Sequence, residues 1–198
     1  VNLNEDISER NRWSARGQLL IEPSPDLKIR AIADYSKIDE ACCQVSTLVA
    51  GPTAAAIRAV GGNLDTNFFS YNTFLNQVPE NVVDNYGGSL QADWNIGSLT
   101  VTSITAYREL ENFQNQDVDF TSARVVSEIR NQKVDTFTQE LRIASDFDGP
   151  INFLLGGFYF DESITQDSSL TTGPDARTFF ALLAGNPLVF NGVEQALG

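Results

Sequence analysis

Apolar and polar residues alternate along six stretches of this chain, and short polar turns join the stretches into three pairs. In the first pair, the odd-numbered positions from Trp13 to Ile21 are apolar or small, and the even-numbered positions are mostly polar. The return stretch, 27–36, repeats the alternation after a turn that contains Pro23 and Pro25. Because successive side chains of a β-strand point to opposite faces, this pattern predicts a hairpin with one apolar face.

The second and third pairs follow the same plan, so the sequence predicts six strands. Their expected positions are 13–22, 27–36, 86–94, 99–108, 136–145 and 151–162. Short connections join neighbouring strands, and we therefore expect the strands to pair in chain order as an antiparallel meander. The turns near Pro23, Asn95 and Asp146 should then lie along one edge of the sheet.

Long segments separate the hairpins. Two of these segments contain helix-favouring stretches, which lie at 53–60 and 174–184. Short turns on one side, long loops on the other and aromatic residues at the strand ends are typical of outer-membrane barrels. Trp13 and Tyr35 lie at the strand ends away from the turn, as do Tyr86 and Tyr107. The predicted fold is all-β: an antiparallel up-and-down meander forming part of a transmembrane outer-membrane β-barrel, with periplasmic turns and long extracellular loops carrying short helices.

The alternation also predicts which side chains face lipid. A basic side chain at the bilayer midplane of a barrel costs about 2–4 kcal/mol, so the strand face that holds the charges should line the lumen. The residues expected to face lipid are Trp13, Leu19, Ile21, Leu27, Ile29, Tyr35, Leu90, Trp94, Leu99, Val101, Tyr107, Leu141, Ile143, Phe153 and Leu155. The residues expected to face the lumen are Arg16, Gln18, Lys28, Arg30, Asp34, Gln91, Asp93, Arg108, Glu140 and Arg142.

Composition excludes several classes of protein. The formal net charge of -13 argues against nucleic-acid binding, which requires clustered Lys and Arg. The chain has no histidine, which removes His-dependent catalysis and the usual zinc sites. No run approaches the roughly 18 apolar residues of a transmembrane helix, so a helical inner-membrane protein is excluded. We expect no enzymatic activity, no catalytic or metal-binding residue and no cofactor.

Three polar features in the predicted loops are interpreted as structural. The adjacent Cys42 and Cys43 indicate a vicinal disulfide or two loop thiols, because too few further soft ligands exist for a metal site. Asp117 and Asp119 are spaced like the first ligands of a calcium loop. The glycine and the distal glutamate of that motif are out of register, so an acidic solvent-exposed loop is expected there instead.

A pair of carboxylates could suggest a glycosidase, with Glu140 and either Asp161 or Glu162 as the two acids. Nothing in the sequence fixes the distance between them. Carboxylates that line a wet lumen are the preferred interpretation, and their expected partner is Arg142 or Arg16.

Several segments together resemble the barrel region of TonB-dependent outer-membrane receptors. They are LTVTSITAYR at 99–108, FTQELRIAS at 137–145 and GGFYFDE at 156–162, preceded by LLIEPS at 19–24 and ADY at 33–35. The segments occur in order and are spread over most of residues 11–162. The resemblance implies a 22-stranded barrel closed by an N-terminal plug, which imports iron chelates, cobalamin or saccharides with energy from the TonB complex.

On this resemblance, residues 1–198 are predicted to be a fragment of a receptor barrel domain with about six strands, from which the plug and the remaining strands are absent. The implied location is the bacterial outer membrane. The implied partners are outer-membrane lipid and lipopolysaccharide, a small nutrient ligand, and TonB through the absent plug. The residues that would bind the nutrient are not identified by the sequence.

Two other classes of function remain open. A passive porin-type channel accounts equally well for the hairpins, although it matches the sequences of the segments at 99–108, 137–145 and 156–162 less well. A soluble all-β module that binds saccharides would use the aromatic side chains as stacking platforms. Solubility without detergent would favour the module, and a plug domain upstream would exclude the passive channel.

Overall fold

The computed structural model describes residues 6–42 and 45–197. Within these residues, the chain is mostly β, with strands β1 (Arg12–Ser24), β2 (Leu27–Glu40), β3 (Glu80–Ile96), β4 (Leu99–Asp117), β5 (Val126–Ser145) and β6 (Leu154–Thr172). The helices are α1 (Pro52–Ala59), α2 (Ala176–Ala184) and α3 (Val189–Leu197), with a short 3-10 turn at Phe68–Ser70.

All six strands form one sheet in which neighbours along the chain are neighbours in space and run antiparallel. The predicted meander is therefore confirmed. The hairpin turns also share one edge, as predicted. There the Asn95 N–H donates to the Asp26 carbonyl (2.8 Å), and the Asp146 N–H donates to the Ser98 carbonyl (2.7 Å). Gly97 takes a φ of 61° in the two-residue turn between β3 and β4, a conformation that glycine adopts without strain.

Four strands are much longer than predicted, and each extends away from the hairpin turns. β3 begins at Glu80, β4 continues to Asp117, β5 begins at Val126 and β6 continues to Thr172. The expectation of a long loop between β4 and β5 was therefore wrong, because the connector spans only 118–125. The extensions carry polar residues on both faces, so they lack the alternation that reveals a strand in sequence.

The start of β6 was also predicted wrongly, because 151–153 belong to the turn. The Asn152 side chain accepts from the Phe147 N–H (2.7 Å), and the Phe153 N–H donates to the Ser145 hydroxyl (2.7 Å). These bonds to side chains stand where backbone bonds of a strand ladder would otherwise form. The rings of Phe147 and Phe153 pack together in the turn, with centroids 6.2 Å apart. Turn-forming polar side chains thus outweigh the apolar pattern here.

The buried apolar residues lie outside the sheet. Within the described parts of the chain they are Ala54, Ala56, Ile57, Leu75, Ala123, Val125, Ala176 and Phe179. Six of them form one contiguous group, named the loop cluster: Ala56, Ile57, Ala123, Val125, Ala176 and Phe179. Since these residues come from α1, the β4–β5 connector and α2, the connectors opposite the hairpin turns pack against one another.

Close backbone approaches accompany the loop cluster. A Cβ at Gly173 would lie 2.0 Å from the Arg124 carbonyl oxygen, and a Cβ at Gly62 would lie 2.7 Å from the Ala123 Cβ. The Asp175 carboxylate accepts the Arg124 N–H (2.9 Å). The helices at 53–60 and 174–184 were predicted within about two residues, whereas α3 was not predicted.

The sheet itself has no core on either face. All residues of β1 and β6 are exposed, and large apolar side chains in the inner strands are also accessible, with Leu90 at 51% and Leu141 at 47%. In the part of the chain that the structure describes, β1 and β6 are free edges, and the sheet does not close into a barrel. The expected open sheet with an exposed apolar face is confirmed.

Candidate functional site: the two faces of the sheet

The register of the strands divides their side chains between two faces. Directly paired residues share a face, and one such row runs from Leu19 through Ala31, Leu90, Thr105 and Gln139 to Tyr159. The strand residues expected to face lipid all lie on this side, named the apolar face; Phe153 lies outside the strands. The residues expected to face the lumen all lie on the opposite side, named the polar face. The sequence therefore predicted correctly which strand residues share a face.

An aromatic row crosses the apolar face, and every strand contributes one ring to it. Its members are Trp13, Tyr35, Tyr86, Tyr107, Phe137 and Tyr159. Rings on neighbouring strands approach closely at both ends of the row, with centroids 4.9 Å apart for Trp13 and Tyr35 and 6.2 Å apart for Phe137 and Tyr159. The sequence revealed the row on β1 to β4, but only the register shows that it continues across all six strands.

The apolar face between the aromatic row and the hairpin turns, named the apolar band, carries no charged side chain in any of the six described strands. Its polar groups near the centre bond to one another. The Thr105 hydroxyl donates to Gln139 Oε1, and Gln139 Nε2 donates to the Ser103 hydroxyl (3.1 Å). A polar group away from water is costly unless it has such a partner, and these three side chains provide partners for one another.

The aromatic row is oblique to the strands. Rings on β2 and β3, and on β4 and β5, are directly paired in the ladder. From β1 to β2, from β3 to β4 and from β5 to β6, the next ring lies two residues closer to the hairpin turns than the position paired with the preceding ring. Six residues correspond to about 20 Å along the strands, while five strand spacings correspond to about 24 Å across them. A plane through the row therefore meets the strands at about 40° to their perpendicular, equal to the strand tilt typical of membrane barrels.

Charged residues begin immediately beyond the aromatic row, and the tyrosine hydroxyls bond to them. Tyr86 donates to Glu109 (2.7 Å), and Tyr107 donates to Asp135 (2.8 Å). Lys133 lies among these acids and pairs with Glu109. The hydroxyls of these two tyrosines thus bond to charged residues on the side of the row away from the band.

The polar face carries a ladder of ion pairs and hydrogen bonds that spans several strands. Arg108 of β4 binds both carboxylate oxygens of Asp34 (2.8 Å each) on β2 and also donates to Asn85 (2.6 Å) on β3. Arg142 pairs with Glu140 (2.9 Å), which confirms the first of the two partners that the sequence predicted, Arg142 or Arg16. Such pairs at exposed positions contribute little to stability. They make this the charged face of the sheet.

Asp117 and Asp119 form a structural turn, so the expected solvent-exposed acidic loop was wrong. Asp117 is only 2% exposed. Its carboxylate accepts the N–H groups of Asn76, Asp119 and Phe120, and the Asp119 carboxylate accepts those of Val125 and Val126 (3.1 Å each). Burial, together with the neighbouring Asp119 charge, raises the pKa of Asp117 to about 6. The backbone of the β4–β5 connector reverses direction within 118–125, so its N–H groups cannot all bond to a neighbouring strand. The two carboxylates accept from them instead.

The carboxylate pair considered for glycoside hydrolysis is separated by the sheet. Glu140 lies on the polar face and Asp161 on the apolar face. Glu162 shares the polar face with Glu140 but lies four residues away along the ladder, about 13 Å, beyond the spacing of either glycosidase class. Cys42 is disulfide-bonded, and Cys43 lies outside the described residues. Across 6–42 and 45–197, no group of three or more Cys, Asp or Glu side chains could hold a metal ion.

No protein-family model matches this chain, and no curated protein is significantly similar to it. Among the helices in the described parts of the chain, none is long and apolar enough to cross a membrane. The relation to TonB-dependent receptors therefore stays a prediction from the resemblance of 99–108, 137–145 and 156–162.

Proposed function

We propose that this chain forms part of the wall of an outer-membrane β-barrel, with the apolar face toward lipid and the polar face toward the lumen. The observation that carries the proposal is the charge-free apolar band bounded by an oblique aromatic row. Aromatic girdles lie in the membrane plane, so a row at about 40° to the strand perpendicular matches strands tilted as in membrane barrels.

The height of the band supports the same proposal. On β4 the band extends from Leu99 to Tyr107, and on β3 from Tyr86 to Trp94. Each distance is about 26 Å along the strand, or about 20 Å along the membrane normal after the tilt, close to the roughly 25 Å apolar band of outer-membrane barrels.

The alternative of a soluble saccharide-binding module meets a physical objection. A soluble sheet buries at least one face, whereas the buried apolar residues of the described chain all lie in connectors and helices. A face with side chains such as Leu90 and Trp94 more than half exposed requires a covering that lipid would provide.

For the whole protein, we propose active uptake of a scarce nutrient, such as an iron chelate, cobalamin or a saccharide, driven by the TonB complex. This step rests on the resemblance of 99–108, 137–145 and 156–162 to TonB-dependent receptors. The free edges of β1 and β6 are consistent with it, since a wall needs further strands on both sides to close.

The chain contains its own probes for the membrane test. It has two tryptophans, Trp13 in the aromatic row and Trp94 near the hairpin turns, both on the apolar face. In vesicles, we expect bromine atoms near the ends of the acyl chains to quench both less than bromine near the headgroups, because the two rings mark opposite boundaries of the band. Trp13→Phe and Trp94→Phe assign the signal, and fluorescence that brominated lipid leaves unchanged would reject the membrane wall.

A separate measurement tests energised transport. If the protein is a TonB-dependent receptor, collapse of the proton motive force abolishes uptake in whole cells while surface binding of the nutrient persists. Uptake that continues after the collapse would identify a passive channel.

A further inference from the structure

The polar face contains a cavity of about 390 Å³ at the level of the aromatic row. Its polar lining is Arg16, Asp34, Ser89, Arg108, Thr136 and Thr138. One ladder row connects these strands: Arg16 on β1 is paired with Asp34, then Gly87, Arg108 and Thr136. Because Gly87 has no side chain, Arg108 reaches across β3 to Asp34, and the small Ala106 lines the cavity beside this ion pair.

The two arginines of the cavity differ in their partners. Arg108 is fully engaged, with both oxygens of Asp34 and with Asn85. Arg16 lies directly opposite Asp34 in the ladder, yet within the described residues its side chain forms no ion pair and no hydrogen bond. The lining residues thus include two guanidinium groups and one carboxylate, and the Glu162 carboxylate is bonded to Thr136 beside them. Arg16 is the lining cation that no carboxylate binds among the described residues.

We propose that this cavity binds the carboxylate of a small hydroxylated solute, with Arg16 as the group that binds the anion. Guanidinium and carboxylate form paired, charge-assisted hydrogen bonds. The hydroxyls of Ser89 and Thr138 can donate to and accept from hydroxyl groups of the same solute, and the Thr136 hydroxyl, which donates to Glu162 (3.2 Å), can accept from them. One lining guanidinium without a bound carboxylate suits a monoanion, since a phosphate dianion would leave a negative charge unmatched.

The cavity volume lies within the range of small-molecule sites. On β2, β3 and β4 the cavity is level with Tyr35, Tyr86 and Tyr107, which mark the membrane boundary remote from the hairpin turns. The inference rests on the proposed function, because a solute meets the polar face only if that face lines a lumen. In that case, a solute entering from the side of the long connectors reaches this cavity before it passes the band.

Glucuronate is a suitable probe because it combines one carboxylate with several hydroxyls, and glucose is the matched neutral probe. Calorimetric titration of the complete protein, extracted from outer membranes in detergent at low salt, should give binding of glucuronate and none of glucose. Arg16→Gln should weaken glucuronate binding at least tenfold. Arg142→Gln, which removes an arginine of the same face that pairs with Glu140 outside the cavity, should change it less than twofold.

Several results would overturn the inference. They are equal binding of glucose, an unchanged affinity after Arg16→Gln, an equal loss after Arg142→Gln, or tighter binding of methyl phosphate than of glucuronate. Failure of the wild type to bind glucuronate would also overturn it. Tryptophan quenching by brominated lipid on the same preparation separates the outcomes: quenching without glucuronate binding rejects only this site, whereas absent quenching rejects the membrane wall.

Discussion

Arg108 on β4 reaches across β3 to Asp34 on β2, and both carboxylate oxygens of Asp34 lie 2.8 Å from its Nη2. The strand between them carries Gly87 in the same ladder row. An added Cβ at Gly87 would lie 2.7 Å from the Tyr107 carbonyl oxygen and 3.1 Å from the Arg108 Cα. The ion pair therefore depends on a position without a side chain, a relationship that no sequence pattern revealed.

We expect Gly87→Ala to destabilise the folded protein by about 1–3 kcal/mol, because the methyl group must displace the β4 backbone or the Arg108 side chain. Urea unfolding in lipid vesicles measures the change. Gly17→Ala is the matched control, since a Cβ at Gly17 meets no atom within 4 Å. Equal unfolding midpoints for the two variants would contradict the role given to Gly87.

A charge placed on the apolar band should be far more costly than the same charge on the polar face. Leu90 and Ile104 are apolar residues on adjacent strands at nearly the same height, but they lie on opposite faces. Leu90→Arg should destabilise the protein by about 2–4 kcal/mol in vesicles, whereas Ile104→Arg, close to Glu140 in the ladder, should cost much less. Similar losses for the two variants, measured by urea titration, would refute the assignment of the faces.

The loop cluster should unfold separately from the strands. Phe179→Ala leaves a cavity beneath α2 and should destabilise the cluster by about 3–5 kcal/mol, the range for buried aromatic truncations. Protease added to the side of the long connectors should then cut between β2 and β3 faster, while the strands stay protected. Gly192→Ala, at an open position on α3, should leave the rate unchanged.

The turn that Asp117 forms with Asn76 and Phe120 should lose stability as the pH rises through about 6, where Asp117 ionises in the folded protein. Asp117 lies at the end of β4 beyond the band, and its pKa is raised, so the folded state holds the proton more tightly than the unfolded state. The resulting stabilisation is complete below about pH 4, the ordinary pKa of an aspartate, and disappears above pH 6. Hydrogen exchange at the Asn76 and Phe120 amides, corrected for intrinsic rates, should show protection falling across this window.

Asp117→Asn provides the control for this pH dependence. The variant keeps a carbonyl oxygen that can accept the Asp119 and Phe120 N–H groups, but it has no titrating group. Its amide protection should not vary between pH 4 and 7. A wild type whose protection increases with pH would show that ionised Asp117 is the preferred form, contrary to the prediction.

The two-residue period predicted the faces accurately because a strand with one face in a uniform environment must alternate. The same period did not reveal the strand extensions, in which both faces carry polar residues. Gln114 and Asn115 occupy opposite faces of β4 beyond the aromatic row, and neither environment selects apolar residues, so the strand extension was mistaken for a loop. The opposite error occurred at Ile151 and Phe153. This apolar pair was assigned to a strand, although hydrogen bonds to the Asn152 and Ser145 side chains place it in the turn.

The sequence by itself determined the number of strands, their order, their hairpin turns and the residues that share each face, since all of these follow from local alternation and from short connections. Only the tertiary structure decided the register, and the register decides the rest. It aligns one aromatic ring from every strand into an oblique row, and it places Arg108 across Gly87 from Asp34. The fold also joins the distant connectors through Ile57, Val125 and Phe179. These relations depend on pairs far apart along the chain, whereas a periodic pattern constrains only neighbours.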